Sequence, residues 1–231
     1  MFLIENLSNK LSYKIASTLK LDNDNQEIIA YGVFSFLQTL WAILLIVLFG
    51  IIFDVLIEAV ILSFTGSFLR KYSGGVHASS PNRCAVIGTI IFVGLGVIVN
   101  KISNFITFQW VVLGAILSFT FSYYTVYKLA PVDSPSKPIV KETKKQRLKR
   151  SSMLLLHSLM IIVLVLLGLY YKLRVKNLLI VALCMYIGTA WQSLTLTSKG
   201  HLLVKSIDSF LKNITTFLRG NNNEKTSKPS S

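Results

Sequence analysis

Phe34–Phe53 reads FSFLQTLWAILLIVLFGIIF, 20 residues without a charge. A helix of about 20 apolar residues covers the roughly 30 Å of hydrocarbon in a bilayer. Lipid offers no partner to backbone N–H and C=O groups, so such a run must be helical. Phe105–Tyr127, Met153–Tyr171 and Leu178–Leu196 repeat the pattern. Two shorter runs join them: Val55–Leu69, which carries Glu58, and Ala85–Val99, which is uncharged. The chain therefore reads as all-α, a polytopic membrane protein with six transmembrane helices.

The composition agrees. Of 231 residues, 52% are hydrophobic and only 15% charged, with a mean hydropathy of +0.59. Ordinary soluble domains carry roughly 25% charged residues. Two cysteines exclude a disulfide scaffold and a Cys-rich metal site. The formal net charge of +14 invites a nucleic-acid reading. Sorting the charges removes it. Lys10, Lys14 and Lys20 precede the first span, and Arg70, Lys71 and Arg83 lie between spans 2 and 3. Lys128, Lys137, Lys141, Lys144, Lys145, Arg147, Lys149 and Arg150 lie between spans 4 and 5, and six more follow span 6. In a six-span protein these regions share one side, with 20 of the 24 positive residues. Lys101, Lys172, Arg174 and Lys176 are left for the other. Positive residues stay inside, so both termini, the 70–84 segment and the 128–152 loop are expected in the cytoplasm of a multi-pass cell-membrane protein. The partner expected of this charge is lipid or an acidic peptide, with no nucleic acid.

Both ends read as amphipathic. Leu3, Leu7, Leu11, Ile15 and Leu19 recur at helical spacing, and Glu5 interrupts any signal-peptide run. Leu203, Ile207, Phe210, Leu211, Ile214, Phe217 and Leu218 form a stripe near the other end. Residues 1–219 are read as one integral membrane domain, and 220–231 as a disordered tail.

Chemistry concentrates in Arg70–Cys84, RKYSGGVHASSPNRC. His77 and Cys84 are the two residue types that thiol catalysis needs, a nucleophile and a base. On one continuous helix they would lie about 10 Å apart along the axis. Gly74-Gly75 loosens the backbone, while Ser80 reads as an N-cap and Pro81 as the first residue of the next helix. A break there lets His77 fold back beside a cysteine in the first helical turn. That turn, with Arg83, favours a thiolate and offers free N–H groups to an oxyanion. Ser79, Asn82 and Asp133 are candidates to orient the imidazole. The plainer alternatives stand beside this: a small apolar cysteine starting a helix and a solvated histidine. Cys184 reads as packing and His201 as solvated. His157 reads as an intramembrane residue bonded to a neighbouring helix, and Glu58 shares its intramembrane status. The run at 141–150 reads first as a membrane-surface patch. No Walker loop, dinucleotide fingerprint or metal-ligand cluster is present, so neither cofactor nor metal is expected.

This segment resembles the signature of the accessory gene regulator B (AgrB) family: Arg70, then Gly74, Gly75, His77 and Ala78, with Cys84 seven residues after the histidine. Ala130-Pro131-Val132-Asp133 followed by Lys137-Pro138 resembles the family's second motif. The resemblance implies a membrane cysteine endopeptidase. Cys84 would attack the peptide bond before the acidic tail of an AgrD-like precursor, with His77 as base and then acid. An internal Cys or Ser of the precursor would then close a thiolactone or lactone. Arg70 and Lys71 would hold the acidic tail; Gly74, Gly75, Pro131, Asp133, Lys137 and Pro138 would support the site. The partner implied is a precursor with an amphipathic leader and an acidic tail; a homodimer is implied by analogy alone. The competing reading is a peptide transporter or export component without covalent chemistry, working through Glu58 and His157.

Overall fold

A computed structural model of the chain describes residues 2–19, 22–133 and 141–226. Among them lie eight helices: α1 (Phe2–Leu19), α2 (Asn23–Ile52), α3 (Leu56–Ser73), α4 (Pro81–Ile102), α5 (Phe108–Leu129), α6 (Glu142–Leu173), α7 (Lys176–Leu194) and α8 (Ser198–Thr226). Among the described residues, the one β-type contact is an isolated parallel bridge between Gly74 and Val132. The protein is all-helical, and its long apolar helices fit a multi-pass membrane protein.

Each of the six expected spans falls on one helix, α2 to α7. Five are long and apolar enough to cross a membrane: α2, α4, α5, α6 and α7. The sixth, α3, has only 18 residues and carries Glu58, Arg70 and Lys71. It is nonetheless built into the bundle. Ala59, Leu62 and Leu69 are fully buried, and α3 packs most extensively against α7. The approach is close: a Cβ on Gly188 would lie 2.7 Å from the carbonyl oxygen of Leu62. More than half of the apolar stretch of α7 is buried in protein, against 6% for α2. So α7 is the central post and α2 lies at the periphery. Leu62, Leu69, Val126, Leu156, Val163, Ala182 and Leu183 fill the core between α3, α5, α6 and α7.

Two helices exceed their expected apolar limits. Asp22 caps α2 by accepting a hydrogen bond from the Asn25 amide at 3.0 Å, so α2 starts eleven residues before the apolar run. The basic stretch from Glu142 to Arg150 was expected in a loop. It forms the first turns of α6 instead, because Lys, Arg, Glu and Gln are good helix formers and no glycine or proline interrupts them. At the far end, α8 continues through Thr226, past residue 220 where disorder is expected; no proline occurs between Ser198 and Thr226.

The bundle sorts its connections onto two ends. Lys176 Nζ donates to Asn104 Oδ1 at 2.7 Å, joining the α6–α7 and α4–α5 connections at one end. Segments 74–80, 130–133 and 195–197 meet at the other. The sparsely charged connections are thus separated from the strongly basic ones.

Candidate functional site

The α3 helix stops at Ser73 because the next two residues leave helical space. Gly74 has φ +70° and Gly75 φ +136°, regions that residues with a Cβ rarely enter. Space forbids a side chain as well. A Cβ on Gly74 would lie 2.1 Å from the Val132 carbonyl oxygen, and one on Gly75 would lie 2.8 Å from Thr195 Oγ1. Closeness is what the turn uses. The Val132 amide donates to the Ser73 carbonyl at 2.9 Å, and the Val76 amide to the Thr195 carbonyl at 3.4 Å. Gln192, 2% exposed at the end of α7, donates through Nε2 to the Gly74 carbonyl at 2.7 Å and to Ser73 Oγ at 3.1 Å. The two sequence motifs therefore touch, with Pro131 buried and Asp133 exposed at the junction. Lys137 and Pro138 lie outside the described residues.

α4 begins where its capping signals place it. Ser80 is extended, at φ −140° and ψ 139°, and Pro81 is the first helical residue. Ser80 makes no side-chain cap. Gln38 of α2 reaches over to donate to the Pro81 carbonyl at 3.0 Å. Cys84, partly exposed, closes the first turn. Its own amide donates to the Ser80 carbonyl at 2.9 Å, so it is not free for an oxyanion.

Arg70 interacts electrostatically with both Cys84 and His77. Its guanidinium donates to the Val76 carbonyl through Nη2. Burial lowers its pKa, and its electrostatic interaction with Cys84 pushes the other way. His77 feels the opposite. Desolvation of its ring comes first and the Arg70 charge second, and together they push its pKa down to about 4. His77 is nonetheless exposed on its solvent side, and its imidazole is neutral at physiological pH. Among the described residues, no side-chain hydrogen bond is seen for His77 or Cys84, and Ser79 is engaged by Asp208 rather than by the imidazole. Lys71 turns outward, its ammonium 5.4 Å from the centroid of the Tyr72 ring.

Four expectations from sequence need correction. Arg83 does not offer its charge freely to Cys84: its Nε lies 2.7 Å from Asp208 Oδ1 in α8. Ser79 is held by the same carboxylate, with its Oγ donating to Asp208 Oδ2 at 2.5 Å and its amide at 3.1 Å. His157 bonds within its own helix, Nδ1 to the Met153 carbonyl at 2.7 Å, with its ring edge-on to Tyr123. A helical residue finds the carbonyl four residues back more readily than a neighbouring backbone. His201 is not solvated. It is half-buried at the tight α7–α8 corner, and its Nε2 is fully enclosed without a partner. Cys184 is fully buried in the core, as expected. Gln192 and Asp208 escaped the sequence reading: a buried glutamine and a lone acid in a tail carry no motif.

Comparison with known proteins agrees with the two motifs. The family model for accessory gene regulator B matches residues 8–196. A putative AgrB-like protein of Clostridium perfringens (strain SM101) is 43% identical over 211 residues, covering 90% of this chain and 98% of its own. A putative AgrB-like protein 2 of C. perfringens (strain 13) is 41% identical over 210 residues, with the same coverage. A putative AgrB-like protein of Listeria innocua is 31% identical over 106 residues, 46% of this chain and 48% of its own. No solved structure matches. With a family model over most of its length and two relatives aligned nearly end to end, the chain belongs to the accessory gene regulator B family.

Proposed function

We propose that the protein is a membrane cysteine endopeptidase that removes the acidic tail of an AgrD-type precursor and hands the peptide on to ring closure. The observation that carries this is the turn between α3 and α4, which joins the segment holding His77 and Cys84 to the second motif at Gly74 and Val132 in a chain of this family. A cation beside a thiol stabilises the thiolate. His77 is neutral at physiological pH and has a free lone pair for the thiol proton, while burial and the Arg70 charge oppose the imidazolium that forms.

Cys84 Sγ forms a bond to the carbonyl carbon before the tail, and its proton passes to His77. The peptide C–N bond breaks, and the leaving amine takes the proton from the imidazolium. The precursor remains on Cys84 as a thioester. Its internal thiol or hydroxyl then attacks that carbonyl, closing the ring and returning the proton to Cys84. A tethered nucleophile outcompetes water through its high effective molarity. In this reading Arg70 serves the thiolate first and the acidic tail second, and Lys71 contributes to the basic surface rather than the reacting centre. The site faces the cytoplasm, α3 completes a six-span count, and both termini share that side.

The test is co-expression of the chain with a tagged AgrD-type precursor. Cys84→Ala and His77→Ala each abolish tail removal, and Cys84→Ser abolishes it or leaves a trace. Persisting tail removal in Cys84→Ala overturns the proposal. The transport reading gains if Glu58→Gln stops peptide release while cleavage continues.

A further inference from the structure

α8 lies outside the stretch that the family model matches, yet it reaches the reactive turn. Its inward face is made by Val204 and Asp208, both buried, with Ile207 and Leu211 half-buried, a spacing of three and four residues. Leu203, Phe210 and Ile214 face outward. This face seats α8 on α4. A carboxylate in the middle of a docking face costs free energy unless it is paired. Asp208 is paired completely. Oδ2 accepts from the Ser79 amide at 3.1 Å and from Ser79 Oγ at 2.5 Å, and Oδ1 accepts from Arg83 Nε at 2.7 Å. Arg83 Nη2 donates back to Ser79 Oγ at 2.5 Å, closing the network.

The residues gripped matter more than their number. Ser79 lies two residues after His77, on the extended arm of the turn, and Arg83 lies one residue before Cys84, on the helical arm. The bend at Ser80-Pro81 separates them. Tying Ser79 to Arg83 across that bend fixes the angle between the arms, and so the separation of imidazole and sulfur. The same pairing removes the Arg83 charge from the thiol's surroundings and leaves Arg70 as the cation that serves it.

We propose that α8 is a latch on the reactive turn, and that Asp208 is a positioning residue that sets the geometry of His77 against Cys84 without touching substrate. This rests on the peptidase reading for its consequence, but not for its geometry.

Two measurements separate the parts. The first uses the full chain in membrane vesicles with a tagged AgrD-type precursor, normalised to the amount of inserted protein. Asp208→Asn keeps the acceptor oxygen but loses the ion pair. It is expected to lower the maximal rate of tail removal at least tenfold while the half-saturating precursor concentration stays within twofold. Asp208→Glu restores at least a third of the rate. Exchange of the charges, Arg83→Asp with Asp208→Arg, exceeds either single variant. A variant that merely fails to fold would lose inserted protein and would not recover on exchange. A maximal rate within twofold of the parent for Asp208→Asn overturns the proposal, as does an exchange no better than the single changes. The second measurement needs no activity. Ser79→Cys with Asp208→Cys, in a chain with Cys84→Ala and Cys184→Ala, is expected to form a disulfide on mild oxidation, read from the mass of the linked fragments. Absence of the link overturns the latch. A link formed while Cys84→Ala alone still removes the tail would leave the geometry standing and sink the peptidase reading instead.

Discussion

Gly74→Ala is the sharpest probe of the turn. At φ +70° and ψ −151° the residue occupies a region populated essentially by glycine, and a side chain there costs about 1–3 kcal/mol. The new Cβ would also stand 2.1 Å from the Val132 carbonyl oxygen, a backbone atom that cannot swing aside. Relieving the overlap requires a shift of about 1 Å between Gly74 and Val132. That breaks the 2.9 Å bond from the Val132 amide to the Ser73 carbonyl, worth about 1 kcal/mol. Together about 2–4 kcal/mol opposes the native turn, so the ratio of native to opened turn falls roughly 30- to 1,000-fold at about 1.4 kcal/mol per decade, and activity falls with it where the native turn is only marginally favoured. The helices are untouched, so the protein should still insert. The assay is tail removal from a tagged precursor in membranes, divided by the amount of inserted chain. Gly88→Ala is the control: its site in α4 is open, with nothing within 4 Å of a Cβ, and alanine is the better helix former. Full activity in Gly88→Ala with a loss of at least 30-fold in Gly74→Ala is the expected pair. A Gly74→Ala chain within threefold of the parent would refute the claim that the 74–132 contact holds the site together.

Further outcomes follow from the same geometry. Gln192→Ala removes two hydrogen bonds and leaves the Gly74 carbonyl only the long 3.4 Å bond from Ser73 Oγ, a local loss of about 2 kcal/mol; processing should fall roughly 30-fold at unchanged protein level, and Gln192→Glu should not restore it. The folded pKa of His77, about 4, lies below its ordinary 6.5, so the unfolded chain takes up the proton first. Its contribution to stability is therefore lost as pH falls from 6.5 towards 4, and a histidine NMR titration should show a neutral ring at pH 5.5. Arg70→Gln should move that titration upward, and an unmoved midpoint would contradict the assigned charge coupling. Cys184 is fully enclosed and Cys84 is not, so intact protein should take up one alkyl group per chain, on Cys84; Cys184→Ala should process normally.

What the residues disclosed in advance is local. Ser80 and Pro81 announce the start of α4, because capping chemistry depends on a few neighbouring atoms. Gly74-Gly75 announces the break for the same reason. The long apolar runs disclose their helices, because lipid leaves the backbone no alternative. α3 sits at the edge of legibility. Glu58, Arg70 and Lys71 depress its apolar signal, and only packing against α7 explains its place in the core. The network holding the turn was not legible at all. Gln192 is 118 residues from Gly74, and Asp208 is 129 residues from Ser79. Nothing in a single chain announces a hydrogen bond across that separation. His157 misled in the reverse direction: a polar residue inside a span suggested a partner on another helix, and its own backbone supplied one.

The turn's dependence on distant segments also sets an order of events. α3 and α4, with His77 and Cys84 between them, emerge early in synthesis, but Val132, Gln192, Thr195 and Asp208 come later. Chains are made and inserted from the N-terminus onward. A nascent or truncated chain therefore holds both reactive side chains and lacks the contacts that arrange them. In the proposed peptidase, competence would arrive only with the last helix, and an incomplete copy in the membrane would hold a thiol without the contacts that arrange its surroundings.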